Sequence, residues 1–178
     1  MNDIYEVIKV PNPVLKQTAL AVEAVDQEIK DQITRMIATM YANSGVGLAA
    51  NQVGILNRIL VMDVTQNADG PGTPICMVNP EIIWASEERS LYQEGCLSLP
   101  QQFADIERPA SVRISYLDEN GAAQEMLTNA DENLLVNHCV QHEMDHLDGA
   151  LFSDYLSALK RNMMIKRVQK LEKNQHVL

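Results

Sequence analysis

The sequence predicts an α+β fold, and three observations carry the prediction. One helical apolar period comes early, short β-like runs fill the middle, and helical periods return at the end. Runs and periods do not alternate as they would around a parallel sheet. At 178 residues the chain fits a single domain spanning 1–178, since domains typically hold about 100–200 residues. A chain of that size buries about 70% of the surface its unfolded form exposes, so it needs no disulfide staples.

The elements follow in order. Residues 26–42, DQEIKDQITRMIATMYA, place Ile29, Ile33, Met36, Ile37, Met40 and Tyr41 at helical spacing. Asp26 is positioned to cap this helix and Asn43-Ser44-Gly45 to end it. β-like runs come next at Arg58–Val64, Ile75–Trp84 and Val112–Leu117. Asn67–Pro74, rich in Gly, Pro, Asp and Asn, reads as a loop between the first two. Asp118-Glu119-Asn120-Gly121 reads as a turn into a weaker strand near Met126. Residues 131–147 form the next predicted helix, with Asp131 as its cap and Leu135, Cys139, His142 and His146 along one side. A last amphipathic helix, at about 155–175, offers Leu156, Leu159, Met163 and Leu171 for packing.

Composition narrows the function classes. No apolar run approaches the roughly 20 residues of a spanning helix, so no membrane partner is expected. The start, MNDIYEVIKV, has neither a basic leader nor an apolar signal core. Three cysteines at irregular spacing are an odd count, which argues against a disulfide framework. The expected compartment is therefore the reducing cytoplasm, where a thiolate stays available to a metal. The net charge of −10 is uneven: from Tyr155 onward the chain carries +5, leaving −15 on the rest. A solvated helix face is the plain explanation of the basic tail, and attraction to a polyanion is the sharper one.

Chemistry concentrates in three stretches. Gln141-His142-Glu143-Met144-Asp145-His146 contains H-E-x-x-H on a predicted helix. Residues four apart share a face, so two imidazoles can bind one divalent metal while Glu143 reaches a water as general base. Such a motif alone also turns up in helices without metal. The extended zinc-protease pattern would put a third histidine at position 152, where Phe152 stands. Upstream lies Glu94-Gly95-Cys96-Leu97-Ser98, in which Cys96 suits a strand-to-loop position facing a site, although a lone cysteine is more often buried filler. The third stretch, Gly45 to Gln52 (GVGLAANQ), lets backbone approach a ligand or another segment closely. It matches no nucleotide fingerprint.

Together these stretches resemble the signature motifs of the peptide deformylase family: G-[apolar]-G-[apolar]-A-A-x-Q, E-G-C-[apolar]-S and Q-H-E-x-D-H-L-x-G. They stand here as GVGLAANQ (45–52), EGCLS (94–98) and QHEMDHLDG (141–149). The resemblance runs over nearly the whole chain, in the bacterial-type form with a C-terminal helix. It implies short antiparallel sheets packed around a central helix carrying the metal motif, with an N-terminal and a C-terminal helix besides. It implies Cys96, His142 and His146 as ligands of one divalent metal, Fe(II) being expected, with Ni, Co or Zn as substitutes. Glu143 becomes the general base, and Gln52 with the backbone N–H of Leu97 the oxyanion donors. Val46, Gly47 and Gly95 are implied to line the substrate channel, and Leu135 and Cys139 the methionine pocket. The implied reaction is hydrolysis of the formyl group of N-formylmethionyl nascent polypeptides, releasing formate. Docking of the basic C-terminal helix near the ribosomal exit tunnel is implied as well; DNA is not an expected partner.

Three positions depart from the family pattern. Phe103 stands where an arginine is frequent, His138 where an apolar residue is usual, and Leu134 near a common small residue. They bear on the pocket rim and substrate preference, not on the ligands. Rival readings are a peptidase, which Phe152 opposes, a related fold acting on another formylated amine, and a non-catalytic metal-stabilised binding module, which has no use for Glu143 or Gln52.

Overall fold

The computed structural model describes residues 4–65 and 72–175. The loop expected at Asn67–Pro74 lies mostly outside them. The fold is α+β, with helix α1 (Gln27–Ala42), seven strands, helix α2 (Ala130–Leu147) and helix α3 (Ala158–Gln175). The strands are β1 (Gly47–Ala49), β2 (Ile59–Met62), β3 (Ile75–Ala85), β4 (Arg89–Cys96), β5 (Leu99–Pro109), β6 (Ser111–Leu117) and β7 (Ala123–Asn129). Five of them form one sheet in the order β1-β2-β3-β6-β7, while β4 and β5 form a separate hairpin. Every pairing between these strands is antiparallel.

The unbroken apolar run in β2 is explained by burial on both faces. Ile59 and Val61 join Ile29, Ile33, Met36 and Met40 of α1 in one cluster. Leu60 and Met62 face the other way, into a cluster with Val140, Met144 and Leu147 of α2. Since strand side chains alternate, the sheet is a layer between α1 and α2. α1 begins where the sequence places it: Asp26 accepts a hydrogen bond from the Ile29 N–H at 3.0 Å. It ends at Ser44, whose φ of 54° is left-handed, and the Gly45 N–H closes on the Met40 carbonyl at 3.0 Å.

Three expectations need correction. Asp131 does not cap the motif helix. The first turn of α2 begins behind Asn129 and breaks at Asn133, with φ −152° and ψ 91°. Asn133 then accepts from the Val136 N–H at 3.0 Å and so caps the uninterrupted part. Leu159 and Met163 do not pack: they are 72% and 45% exposed. α3 starts later than expected, after a 3-10 turn at Phe152–Tyr155, and buries Val168 with Met164 and Ile165 beside it. Third, the sequence reading assigned no strands to β4 and β5. Their inward positions include Glu94, Gln102 and Arg108, all buried, so the apolar alternation that marks a strand is missing. α3 is tied back by a Lys9–Glu172 ion pair at 2.8 Å. No helix among the described residues is long and apolar enough to cross a membrane.

Candidate metal centre and active-site cleft

α2 and the β4–β5 hairpin meet edge to end. Cys96 is the last residue of β4, opposite Leu99, so Leu97 and Ser98 form the tip between them. The tip brings the Cys96 Sγ to 3.2 Å from His146 Nε2. One turn earlier on α2, His142 lies edge-on to His146, with ring centroids 4.9 Å apart. One donor atom from each of Cys96, His142 and His146 falls within 4.8 Å of the other two. This is the only such cluster among the described residues. One thiolate and two imidazoles suit a divalent transition metal, and three protein ligands leave a fourth position free.

The candidate ligands are held from behind. His142 Nδ1 lies 2.8 Å from Glu94 Oε2, which turns its other nitrogen towards Cys96 and His146. The Glu94 carboxylate also accepts from Arg108 Nε at 2.6 Å and Nη2 at 2.9 Å, and contacts His138 Nδ1 at 3.0 Å. Burial alone would raise the Glu94 pKa, but the bonds from Arg108, His138 and His142 hold it well below the usual carboxylate range. Arg108 reaches on to Asp145, inside the motif, at 2.7 Å. Phe152 stacks on the His142 ring at 6.0 Å between centroids, so the position a third histidine would need is a packing position.

The two imidazoles are shifted in opposite directions. Burial would lower His142, but its hydrogen bonds to Cys96 and Glu94 raise it well above an ordinary imidazole. His146 is pushed well down by burial and by the neighbouring His142. His146 Nδ1 and Glu143 Oε2 are buried without a protein partner, and buried polar atoms left so are the exception.

Cys96, His142, Glu143, Gln52, Leu97, Val46, Gly47, Gly95, Leu135 and Cys139, all singled out in the sequence, line one cavity of about 570 Å³. Burial pushes the Glu143 carboxyl up to about 7, against the pull of His142. Gln52 is fixed by accepting from the Ala49 N–H at 2.8 Å, and its Nε2 donates to Ser98 Oγ at 3.2 Å, beside the Cys96 Sγ at 3.5 Å. A Cβ on Gly47 would overlap Glu143 Oε1 and come within 2.9 Å of Cys139 Sγ. The close approach expected of the first motif is therefore to α2. Burial raises the Cys139 thiol well above its ordinary value, leaving it a neutral wall.

His138, where the family pattern led to an apolar expectation, leaves neither ring nitrogen stranded. Its Nε2 lies 3.0 Å from Ser90 Oγ while Nδ1 meets Glu94. Sequence reading missed Glu94, Arg108, Asp145 and Ser98. Glu94, Ser98 and Asp145 sit inside the three motifs and offered a signal; Arg108 offered none.

The model of the polypeptide deformylase family matches residues 4–162. A peptide deformylase from Mesorhizobium japonicum is 46% identical over 171 residues, 96% of this chain and 94% of that protein. Among solved structures, peptide deformylase from Ehrlichia chaffeensis in complex with actinonin superposes with a TM-score of 0.87 at 41% identity, over 95% of this chain and 98% of that one. The Met-Ala-Ser-bound class I type b enzyme from Acinetobacter baumannii gives 0.79 at 34% identity, over 88% and 100%. On sequence and on fold alike, this chain belongs to the peptide deformylase family.

Proposed function

We propose that the chain hydrolyses the N-terminal formyl group of N-formylmethionyl nascent polypeptides, releasing formate, as a single catalytic domain over residues 1–178. The observation that carries this reading is the buried, unpartnered Glu143 oxygen beside a three-ligand cluster at a cavity wall. Cys96, His142 and His146 would hold the metal. A divalent cation there would supply a Lewis acid and lower the pKa of a water towards about 7.

Each remaining role belongs to a residue. Glu143, with its carboxyl raised to about 7, takes a proton from the attacking water as the water oxygen bonds to the formyl carbon. The carbon–nitrogen bond breaks, Glu143 passes the proton to the departing amine, and formate leaves. Gln52 Nε2 and the Leu97 N–H stabilise the oxyanion formed between these steps. Val46, Gly47 and Gly95 flank the peptide, and Leu135 and Cys139 wall the methionine side chain.

We assign the metal as Fe(II) from the family pattern, since Cys/His donor sets also accept Ni, Co or Zn. The compartment proposed is the cytoplasm, and the ribosome near its exit tunnel is the proposed docking partner of α3, whose Lys166, Lys170 and Lys173 are exposed. The test is formate release from N-formyl-Met-Ala-Ser by anaerobically prepared ferrous protein. Release that a chelator abolishes is expected; a folded, metal-loaded protein that releases none overturns the reading.

A further inference from the structure

Phe103 is the one large apolar side chain of β5 left to solvent, 62% exposed, and it stands at the mouth of the active-site cavity rather than on a remote surface. It pairs across the hairpin with Gly95. A Cβ on Gly95 would come within 2.7 Å of the Phe103 ring, so the glycine lets the ring lie flat across the β4 backbone. Strand alternation places Asp105, paired with Gln93, and then Glu107, paired with Leu91, next along the same exposed face. Among the described residues the cavity lining holds two carboxylic side chains, Glu94 and Glu143, and no Lys or Arg. Beyond the mouth, the exposed face of the hairpin therefore runs from an apolar plate to two carboxylates, Asp105 and Glu107, ahead of Arg89.

We infer that Phe103 is a specificity-determining residue: its ring takes an apolar or aromatic side chain of the peptide beyond the formylated methionine, and the face it belongs to disfavours acidic ones. The inference rests on the deformylase reading above, because it takes the occupant to be the continuing substrate chain. An exposed ring gains by being covered. An extended peptide leaving the cavity beside Gly95 would run over this ring, and an acidic side chain there would meet Asp105 before it reached Arg89, the exposed cation at the far end of the hairpin.

The test measures kcat/KM on N-formyl-Met-X-Ser and N-formyl-Met-Ala-X, with X as Phe, Leu, Lys or Asp. The wild-type protein should prefer Phe over Asp by about tenfold at one of the two positions, the size expected for covering one large apolar side chain. The difference should lie mainly in KM. Phe103→Ala should lower it several-fold, leaving the part set by Asp105; Phe103→Tyr should keep it, and Phe103→Arg should shift it towards Asp. A Phe/Asp ratio unchanged by Phe103→Ala in a folded protein overturns the inference. Calorimetric binding of the unformylated peptides Met-Phe-Ser and Met-Asp-Ser separates the two failures. Phe103-dependent preference in binding without any formate release would sink the deformylase reading and leave the plate standing; equal binding of both peptides by wild type and Phe103→Ala would sink the plate alone.

Discussion

Glu94 spends both of its carboxylate oxygens on four nitrogens of Arg108, His138 and His142, and only one of those partners is a candidate ligand. Replacing it with Gln keeps the shape but leaves Arg108 buried against a neutral amide. Breaking a buried pair costs about 3–5 kcal/mol, and loosening the partner behind a ligand costs about 10–100-fold in metal affinity. Glu94→Gln should therefore lower both the midpoint of thermal unfolding and metal retention in a chelator competition. Glu143→Gln should behave in the opposite way. It removes the proton acceptor but neither ligand nor packing, so turnover should fall by about a hundredfold or more while metal content stays at the wild-type level. Loss of the metal along with activity would make Glu143 a structural support instead. That Cys96, His142, His146 and Glu143 come together was legible in the sequence, because helical spacing and short motifs carry them. Arg108 was not, because it meets Glu94 only across the folded hairpin and Asp145 only once that hairpin packs against α2.

At the scale of elements, legibility followed the apolar pattern. β2 and α1 showed theirs plainly and stand where the sequence put them. The β4–β5 hairpin did not, since its inward face is built from Glu94, Gln102 and Arg108. The start of the motif helix was misplaced because three capping side chains, Asn129, Asp131 and Asn133, compete within a short stretch. Asn133 is the one whose side chain caps the long segment, so Asn133→Ala should cost about 1 kcal/mol; Asp131→Ala should cost clearly less in the same denaturant titration. A second device joins α1 to the sheet: the Tyr41 hydroxyl donates to Asp63 at 2.6 Å. Burial would raise the Asp63 pKa, but the bonds from Tyr41 and Thr65 lower it below the ordinary value. A depressed carboxylate contributes stability above its unfolded pKa, about 3.9, and loses that contribution as the pH falls through the folded value. Tyr41→Phe should thus cost about 1.5 kcal/mol at neutral pH, as for a bond to a charged group. The gap between the two proteins should narrow below about pH 4.

Over the whole molecule, the charge is split between an acidic body and a basic last helix, and α3 is anchored well enough that the two cannot be separated by truncation. Val168 is fully buried and packs with Leu99, Ile106 and Phe152, and Phe152 in turn stacks on His142. Deleting the tail to test ribosome docking would open this cluster behind a candidate ligand, so weaker binding would report unfolding as readily as the removal of a docking face. Charge reversal is the cleaner probe. Lys166, Lys170 and Lys173 are exposed and lie three to four residues apart, which places them on one face of the helix. Converting all three to Glu should change stability by no more than about 1 kcal/mol, since exposed charges contribute little beyond their interaction with the helix terminus. Docking on ribosomal RNA through that face would release counterions, so the triple variant should bind ribosomes more weakly. Its binding should also depend less steeply on salt, by about 0.7–0.9 in the logarithmic slope for each phosphate it no longer neutralises. Formate release from a free tripeptide reports separately on the cleft. A variant with wild-type turnover, wild-type ribosome affinity and an unchanged salt slope would reduce the basic tail to a solvated helix face.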